Sequence, residues 1–465
     1  MARFLWKKCK TFPRLSGFFR HFHRSKTPFF HTMHIRKVHL SNFKNFADAE
    51  ITLDAMNVLV GANASGKSNF IKALKFLKDV QELGIENAIS LCGGVEYLGN
   101  VQVKGNFITT ITVEFQSDDR PRILDAFDND RIIFLENTRI FYTLQITTTK
   151  TKKYHVHKEE ITYFSVLKYM AQNYSSEIID VPNYPEFVTT LIRQNNKVQI
   201  QPHHLGNSVT IQFPDGSNNV INGKEILPFR MPVQYFMDTE KLSKTKTLIE
   251  QFLSLLPYDA FDFSLYDFDL KKAKETTPIT GKADLEENGE NLAIVVRNIL
   301  SDKEKKRRFG NLLSDILPFV KKLETEKFYD TSLLLTINEI YNSNARLPSF
   351  LLSDGTISIT AILTALFFQE KGLAIFEEPE HGIHPALVAK LVQYFYDASK
   401  NKQIIITTHS PEVVKYTHLD DLILVSRGDN GFATMSRPKE KEMVQAFLQN
   451  ELGLDQLFAQ NLLDM

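Results

Sequence analysis

The sequence predicts an α/β fold in which a mainly parallel sheet with helical crossovers carries a phosphate-binding loop. A β-rich N-terminal lobe and an inserted arm region are expected to accompany it. Three observations lead to that expectation. Gly61 to Ser68 fits G-x-x-x-x-G-K-[ST] between a short apolar strand and a helix-patterned run. From Ser332 onward the pattern alternates strand and helix, the order of a parallel sheet with crossovers. Two of those later strands end in Glu377-Glu378 and in His409, ionisable residues at the sheet edge where ligands of parallel sheets sit.

At 465 residues, 43% of them hydrophobic, the chain is long enough to bury one large core or two ordinary ones. Its two cysteines, Cys9 and Cys92, are too few for a disulfide framework or a metal cluster, which points to a reducing, cytoplasmic setting. No apolar run approaches the length of a membrane span, so no membrane partner is expected. Formal charge is zero but uneven: residues 1–32 hold eight Lys/Arg and no Asp/Glu, leaving 47 basic against 55 acidic residues in the rest. That balance argues against a body uniformly coated for nucleic acid, while a local basic groove stays open. The basic, aromatic stretch 1–32, with the only Trp, reads as an ill-ordered tail or as a product of a start codon placed too early, Met33 preceding the first strand; a targeting or membrane-surface segment is the competing reading.

Taken in order, residues 33–115 are expected to form the first part of the head. Ile35, Val38 and Leu40 alternate in the manner of a strand, and Ala49 to Leu53 supplies a second. Val58 to Val60 feeds the loop, and Phe70, Ile71, Leu74 and Leu77 recur at helical spacing after it. A Gly-rich connector, Cys92 to Gly99, precedes a strand pattern at Phe107 to Phe115. Residues 116–235 read as a β-rich insertion, with strands at Arg131 to Thr147, Tyr154 to Phe164, Lys197 to Gln201 and Val209 to Phe213, the last followed by turn residues Pro214 to Asn219. His203-His204 and the His155/His157 alternation lack Cys or carboxylate at ligand spacing and read as surface residues. Residues 236–330 read as a helical arm, with helices at Glu240 to Leu256 and across Gly289 to Val320; the charge run Ser301 to Arg308 is a solvated helix face or, as the alternative, a nucleic-acid contact. Residues 331–465 complete the head, with strands at Leu333 to Ile337, Leu373 to Phe376, Gln403 to Thr408 and Leu422 to Ser426.

The chemistry follows from residue types. A loop of Gly61, Ala62, Asn63, Ala64, Ser65, Gly66, Lys67, Ser68 and Asn69 presents successive backbone N–H groups and a helix N-terminus to one point, which suits the phosphates of ATP. Lys67 is placed to reach the terminal phosphates and Ser68 to ligate Mg²⁺. The pattern arises by chance in roughly one or two of a hundred chains this long at average residue usage. A phosphate loop hydrolyses nothing by itself. Glu377 would hold Mg²⁺ and Glu378 would polarise the attacking water as general base. His409 would sense or orient the γ-phosphate, and Ser353, Asp354 and Gly355 open an apolar helix as a second anion site.

Several stretches together carry a family likeness: Ser41 to Phe46, the loop through Asn69, Glu287 to Ala293, Leu352 to Thr356, Glu377 to Pro385 and Thr408 to Pro411. In that order they resemble the ABC-type P-loop ATPases of the RecF, SMC and OLD kind. The resemblance implies an ABC-ATPase-like head that hydrolyses ATP and binds it between two copies, Ser353 contacting the γ-phosphate held on the second copy, with His381 to Pro385 along the interface and His409 as the switch histidine. Glu377 departs from the aspartate of most relatives, and Gln81, Gln102 and Gln116 compete for the switch-loop glutamine. No long heptad stretch suggests an SMC-like rod, and about fifty-five residues after His409 are too few for the Toprim nuclease of OLD enzymes. The layout is similar to the ATPase subunits of two-gene anti-phage systems, PARIS-like or Septu-like, which implies a separately encoded effector such as a nuclease. A RecF-like DNA-binding ATPase in repair or recombination is the alternative, with basic residues 302–308 or 271–274 at the DNA. A solute-importer subunit fits less well, since importer cassettes are shorter and need a membrane partner.

Overall fold

A computed structural model describes residues 34–100, 102, 106–116, 122–128, 131–170, 178–180, 186–194, 197–203, 208–212, 218–222, 260–329, 331–341, 345–438 and 454–459. The chain divides into units 1–31 and 32–465, and the expected tail and the expected helix at Glu240 to Leu256 lie outside the described residues. No helix among the described residues is long and apolar enough to cross a membrane.

The head is built on a six-stranded sheet in the order Phe263–Tyr266, Leu373–Glu377, Gln403–Thr408, Met56–Val60, Leu422–Arg427 and Ala433–Ser436. The first five run parallel and the last is antiparallel. Every residue of Met56–Val60 and of Gln403–Thr408 is buried, because helices cover both faces of a parallel sheet. The same burial explains why these strands read as unbroken apolar runs. Among the helices, Asp354–Phe368 is buried continuously from Thr356 to Leu366. Its Thr360 and Thr364 hydroxyls donate to the carbonyls four residues back at 2.7 and 2.8 Å, which satisfies them inside an apolar core.

The N-terminal lobe is an antiparallel sheet whose main path runs Lys197–His203, Phe187–Gln194, Tyr154–Met170, Arg131–Thr148, Phe107–Gln116, His34–Phe43 and Phe46–Thr52. Phe107–Gln116 pairs with Arg131–Thr148 from Phe107↔Thr148 to Gln116↔Arg139, so sheet pairing is continuous across the boundary expected at residue 116. Alternating apolar residues on these strands face the helix Lys67–Leu83 and merge into one core with it. Deep in this sheet Glu159 accepts from Tyr142 Oη at 2.7 Å and from Arg193 Nε at 2.8 Å, a buried charge satisfied on both oxygens. His155 and His157 lie on one side of their strand with ring centroids 6.5 Å apart.

Leu333 to Ile337 departs from expectation. It belongs to Ser332–Glu339, which folds back antiparallel on Val320–Phe328 in a separate four-stranded sheet. The cause is a tight turn at Tyr329, whose φ is 51°, too short a connection for the crossover a parallel neighbour requires. The expected helical run after Gly289 is two helices, Leu292–Ser301 and Lys303–Ile316, divided where the Asp302 carboxylate caps the second.

One buried side chain ties the two sheets together. Gln403 accepts from the Ile35 N–H at 2.9 Å and donates to the Ile35 and Asp54 carbonyls at 2.8 and 2.9 Å. Replacing it with leucine takes the side-chain partner from the Ile35 N–H and carbonyl, while the Asp54 carbonyl keeps Asn57 Nδ2 at 2.7 Å, so Gln403→Leu is expected to cost about 2–4 kcal/mol in chemical denaturation. A loss below about 0.5 kcal/mol would mean that packing and the remaining links, such as Arg437 Nη2 donating to the Thr52 carbonyl at 2.7 Å, hold the two sheets without it.

Candidate active site

The phosphate loop is shaped by close approach. A Cβ at Gly61 would lie 2.1 Å from the Val425 carbonyl oxygen, and Gly66 has φ +131°, so neither position accepts a side chain. Ala64 takes a left-handed φ of 63°. Asn45, in the turn of the first hairpin, holds the loop from outside: its Nδ2 donates to Ser65 O at 3.2 Å, and its Oδ1 accepts from Asn69 Nδ2 at 2.8 Å. Inside, Lys67 Nζ donates to the Gly61 and Ala62 carbonyls at 2.7 and 3.1 Å. Burial pushes the Lys67 ammonium below the usual lysine range, and the carboxylates of Glu378, Glu380 and Glu377 act against that push. Ser65 Oγ is buried without a hydrogen-bond partner, a polar group that a phosphate oxygen would satisfy.

The acids arrive from the adjacent strands. Ser68 Oγ donates to Glu377 Oε2 at 2.8 Å, which joins the end of Leu373–Glu377 to the start of the loop helix. Both are hard oxygen donors of the kind Mg²⁺ takes, so the pair fits that ion. Burial raises the Glu377 carboxyl above the usual range, with the Ser68 bond opposing. At Glu378 the backbone turns left-handed, φ 43°, while its N–H donates to Thr407 O at 3.0 Å. A non-glycine residue held there stores about 1–2 kcal/mol of strain. The turn points its carboxylate to the next strand, where Oε1 lies 2.9 Å from His409 Nδ1.

Asn63 to Asn69, Glu378 and Thr407 line a cleft of ≈ 540 Å³, to which Glu377 and His409 are joined through their bonds to Ser68 and Glu378. Lys44, Tyr97, Gln102 and Arg427 line it too. Gln102 is the one of the three candidate glutamines that reaches the cleft: Gln81 lies within Lys67–Leu83 and Gln116 ends a strand. A Cβ at Gly431 would come within 2.8 Å of Gln102 Nε2, so this side chain lies against Gly431, which also lines the cleft. Sequence spacing did not separate the three, because that choice depends on where the turn after Gly99 crosses the loop. Tyr97 ends a short helical turn and Arg427 ends the strand Leu422–Arg427, so no local motif marks either.

Ser353 caps Asp354–Phe368, its Oγ accepting from the Thr356 N–H at 3.2 Å. Asp354 pairs with Lys274 at 2.5 Å, and Gly355 packs so closely on Gly382 that an added Cβ would sit 2.9 Å from the Gly382 carbonyl. None of the three lines the cleft of its own chain. The structure therefore gathers residues 61–69, Glu377, Glu378 and His409, and leaves Ser353, Asp354 and Gly355 on a separate exposed face.

Against known proteins, the family model described as AAA ATPase domain matches residues 33–414. Endonuclease GajA of Bacillus cereus (strain VD045) is 22% identical over 392 residues, 82% of this chain and 56% of GajA. The DNA replication and repair protein RecF of Synechococcus sp. (strain JA-2-3B'a(2-13)) is 48% identical over 46 residues, 10% of this chain and 12% of that protein. The chain thus spans about half the length of GajA and far less of RecF. Among solved structures, an Smc head bound to the C-winged helix domain of ScpA aligns with TM-score 0.46 and 15% identity, covering 87% of this chain and 97% of that one. An Smc head with an extended coiled coil bound to the C-terminal domain of ScpA, from Pyrococcus furiosus, aligns with TM-score 0.45 and 15% identity over 90% and 99%.

Proposed function

We propose a function from one premise: the chain belongs to the AAA ATPase domain family. It binds ATP with its terminal phosphates in the Gly61–Ser68 loop, hydrolyses it, and uses the bound state to hold or release a separate effector protein in the cytoplasm. The observation that carries this reading is the convergence of Ser68–Glu377 and Glu378–His409 at the mouth of one phosphate loop.

Glu378 takes a proton from a water as its oxygen attacks the γ-phosphorus; the bond from that phosphorus to the bridging oxygen breaks, leaving ADP and phosphate. His409 holds the Glu378 carboxylate in position. Lys67 and the loop N–H groups receive the charge on the phosphate oxygens. Mg²⁺, held by Ser68 and Glu377, would neutralise phosphate charge. The second half of the site comes from another copy, whose Ser353 and helix N-terminus meet the γ-phosphate. Phe350 and Leu351, 58% and 65% exposed, stand beside Ser353 and favour such an interface, since burying each would contribute about 2 kcal/mol. The similarity to GajA, named as an endonuclease, supports an effector that acts on nucleic acid; a role in anti-phage defence is supported by the two-gene layout that the sequence resembles.

A second reading, a RecF-like ATPase that itself binds DNA in repair, is favoured by Lys303 to Arg308, a run of five cations and one acid exposed on Lys303–Ile316. The two readings separate in one experiment: particle mass and ATP turnover with and without duplex DNA at two salt concentrations. Controlled ATPase action predicts a doubling of mass with ATP and no response to DNA. Turnover stimulated several-fold by DNA, with salt-dependent affinity, would select the repair reading, and a monomer at saturating ATP would sink the two-copy site.

A further inference from the structure

The Glu377-Glu378-Pro379-Glu380 turn holds a third acid that the hydrolytic mechanism leaves unused. Glu380 is mostly buried. Its Oε1 accepts from Thr408 Oγ1 at 2.5 Å, and the same hydroxyl oxygen accepts from the Ser410 N–H at 2.9 Å. Thr408 is 0% exposed and sits beside Val60, the residue that launches the phosphate loop. Through the Thr408 hydroxyl the Glu380 carboxyl is thus linked to the Ser410 N–H on the far side of His409. Its own backbone carbonyl accepts from Ile383 N–H at 3.0 Å, closing a tight turn in which Gly382 has φ 74°. That turn is what Gly355 packs upon. One residue therefore links the His409 strand end, the Glu378 turn and the face that carries Ser353.

The second oxygen, Glu380 Oε2, is buried and has no hydrogen-bond partner. A carboxylate oxygen left so is costly. Burial raises this carboxyl above the usual range, Thr408 opposing.

We propose that Glu380 is a positioning residue for ATP hydrolysis: through Thr408 it sets the height of His409 against Glu378 and makes that setting depend on how the Gly355–Gly382 contact is packed. This rests on the reading of Glu378 as the general base. A shift of the Ser353 face on assembly then reaches the base through two short hydrogen bonds rather than through the phosphate loop.

The test is steady-state turnover of Glu380→Ala, Glu380→Gln, Thr408→Val and the Glu380→Ala/Thr408→Val double variant, each with a melting temperature. Thr408→Val keeps side-chain shape and guards against a Glu380→Ala protein that fails to fold. Glu380→Ala and Thr408→Val are each expected to lower kcat about 10-fold or more with KM for ATP within about twofold, since the contact acts on geometry at the base and touches no nucleotide. The double variant should be no slower than the slower single, because both remove one link. Glu380→Gln retains an acceptor oxygen and should recover most of the rate. Wild-type kcat in the singles, losses that multiply in the double, or a Glu380→Gln protein as slow as Glu380→Ala would each overturn the inference. A wild type with no turnover at all overturns the general-base reading together with it, whereas an active wild type with unchanged variants overturns this inference alone.

Discussion

Replacing Glu378 with glutamine is expected to lower ATP turnover by about 10²–10⁴-fold, the range lost with a positioned general base. Glutamine keeps the shape of the side chain and an oxygen for His409, which lies 2.9 Å from Glu378 Oε1. The left-handed turn at residue 378 depends on the Thr407 carbonyl and on the strand pairing around it, so it survives the change. Proton acceptance alone is removed. Nucleotide affinity should stay within about threefold of wild type, and ATP should persist in an assembled complex long enough to be recovered by gel filtration. A Glu378→Gln protein that turns over at more than a tenth of the wild-type rate would move the base elsewhere in the cleft.

Lys67→Ala is expected to act on the opposite step. The Lys67 ammonium, 7% exposed, sits among its own loop carbonyls and faces three carboxylates, Glu377, Glu378 and Glu380. Without it a polyphosphate would meet those carboxylates uncompensated. Losing a close, partly desolvated charge contact costs about 3 kcal/mol, so affinity for ATP should fall about 100-fold, measured by titration calorimetry. Thermal stability of the nucleotide-free protein should change little, since the variant also removes a charge whose burial is unfavourable. An affinity within about threefold of wild type would show that the loop N–H groups alone hold the phosphates.

Much of this was legible in the residues because the informative features are local. Gly61 to Ser68 is read by spacing, and its glycines are demanded by the Val425 carbonyl and by a φ of +131° at Gly66. Met56–Val60 and Gln403–Thr408 are apolar throughout because both faces are covered, so strand position and the residues at the strand ends came together. Features that depend on chain return were hidden. Nothing local to Leu333 announces that a turn at Tyr329 will fold it back on Val320–Phe328. The likeness of Phe107–Gln116 to its neighbours gives no sign that Arg131–Thr148 continues the same sheet. Gln102, Arg427 and Lys44 enter the cleft from three separate parts of the chain, and Glu380 gains its meaning only from Thr408, 28 residues later in the chain.

In the proposed mechanism one working site is made by two copies, Lys67 of one facing Ser353 of the other. It is tested most directly by mixing two inactive proteins, Lys67→Ala and Ser353→Arg. If the site is shared, a heterodimer rebuilds one intact site from the unaltered Lys67 and the unaltered Ser353, and an equimolar mixture regains about a quarter of wild-type turnover. If each copy works alone, the mixture stays as inactive as its parts, and the shared site is wrong.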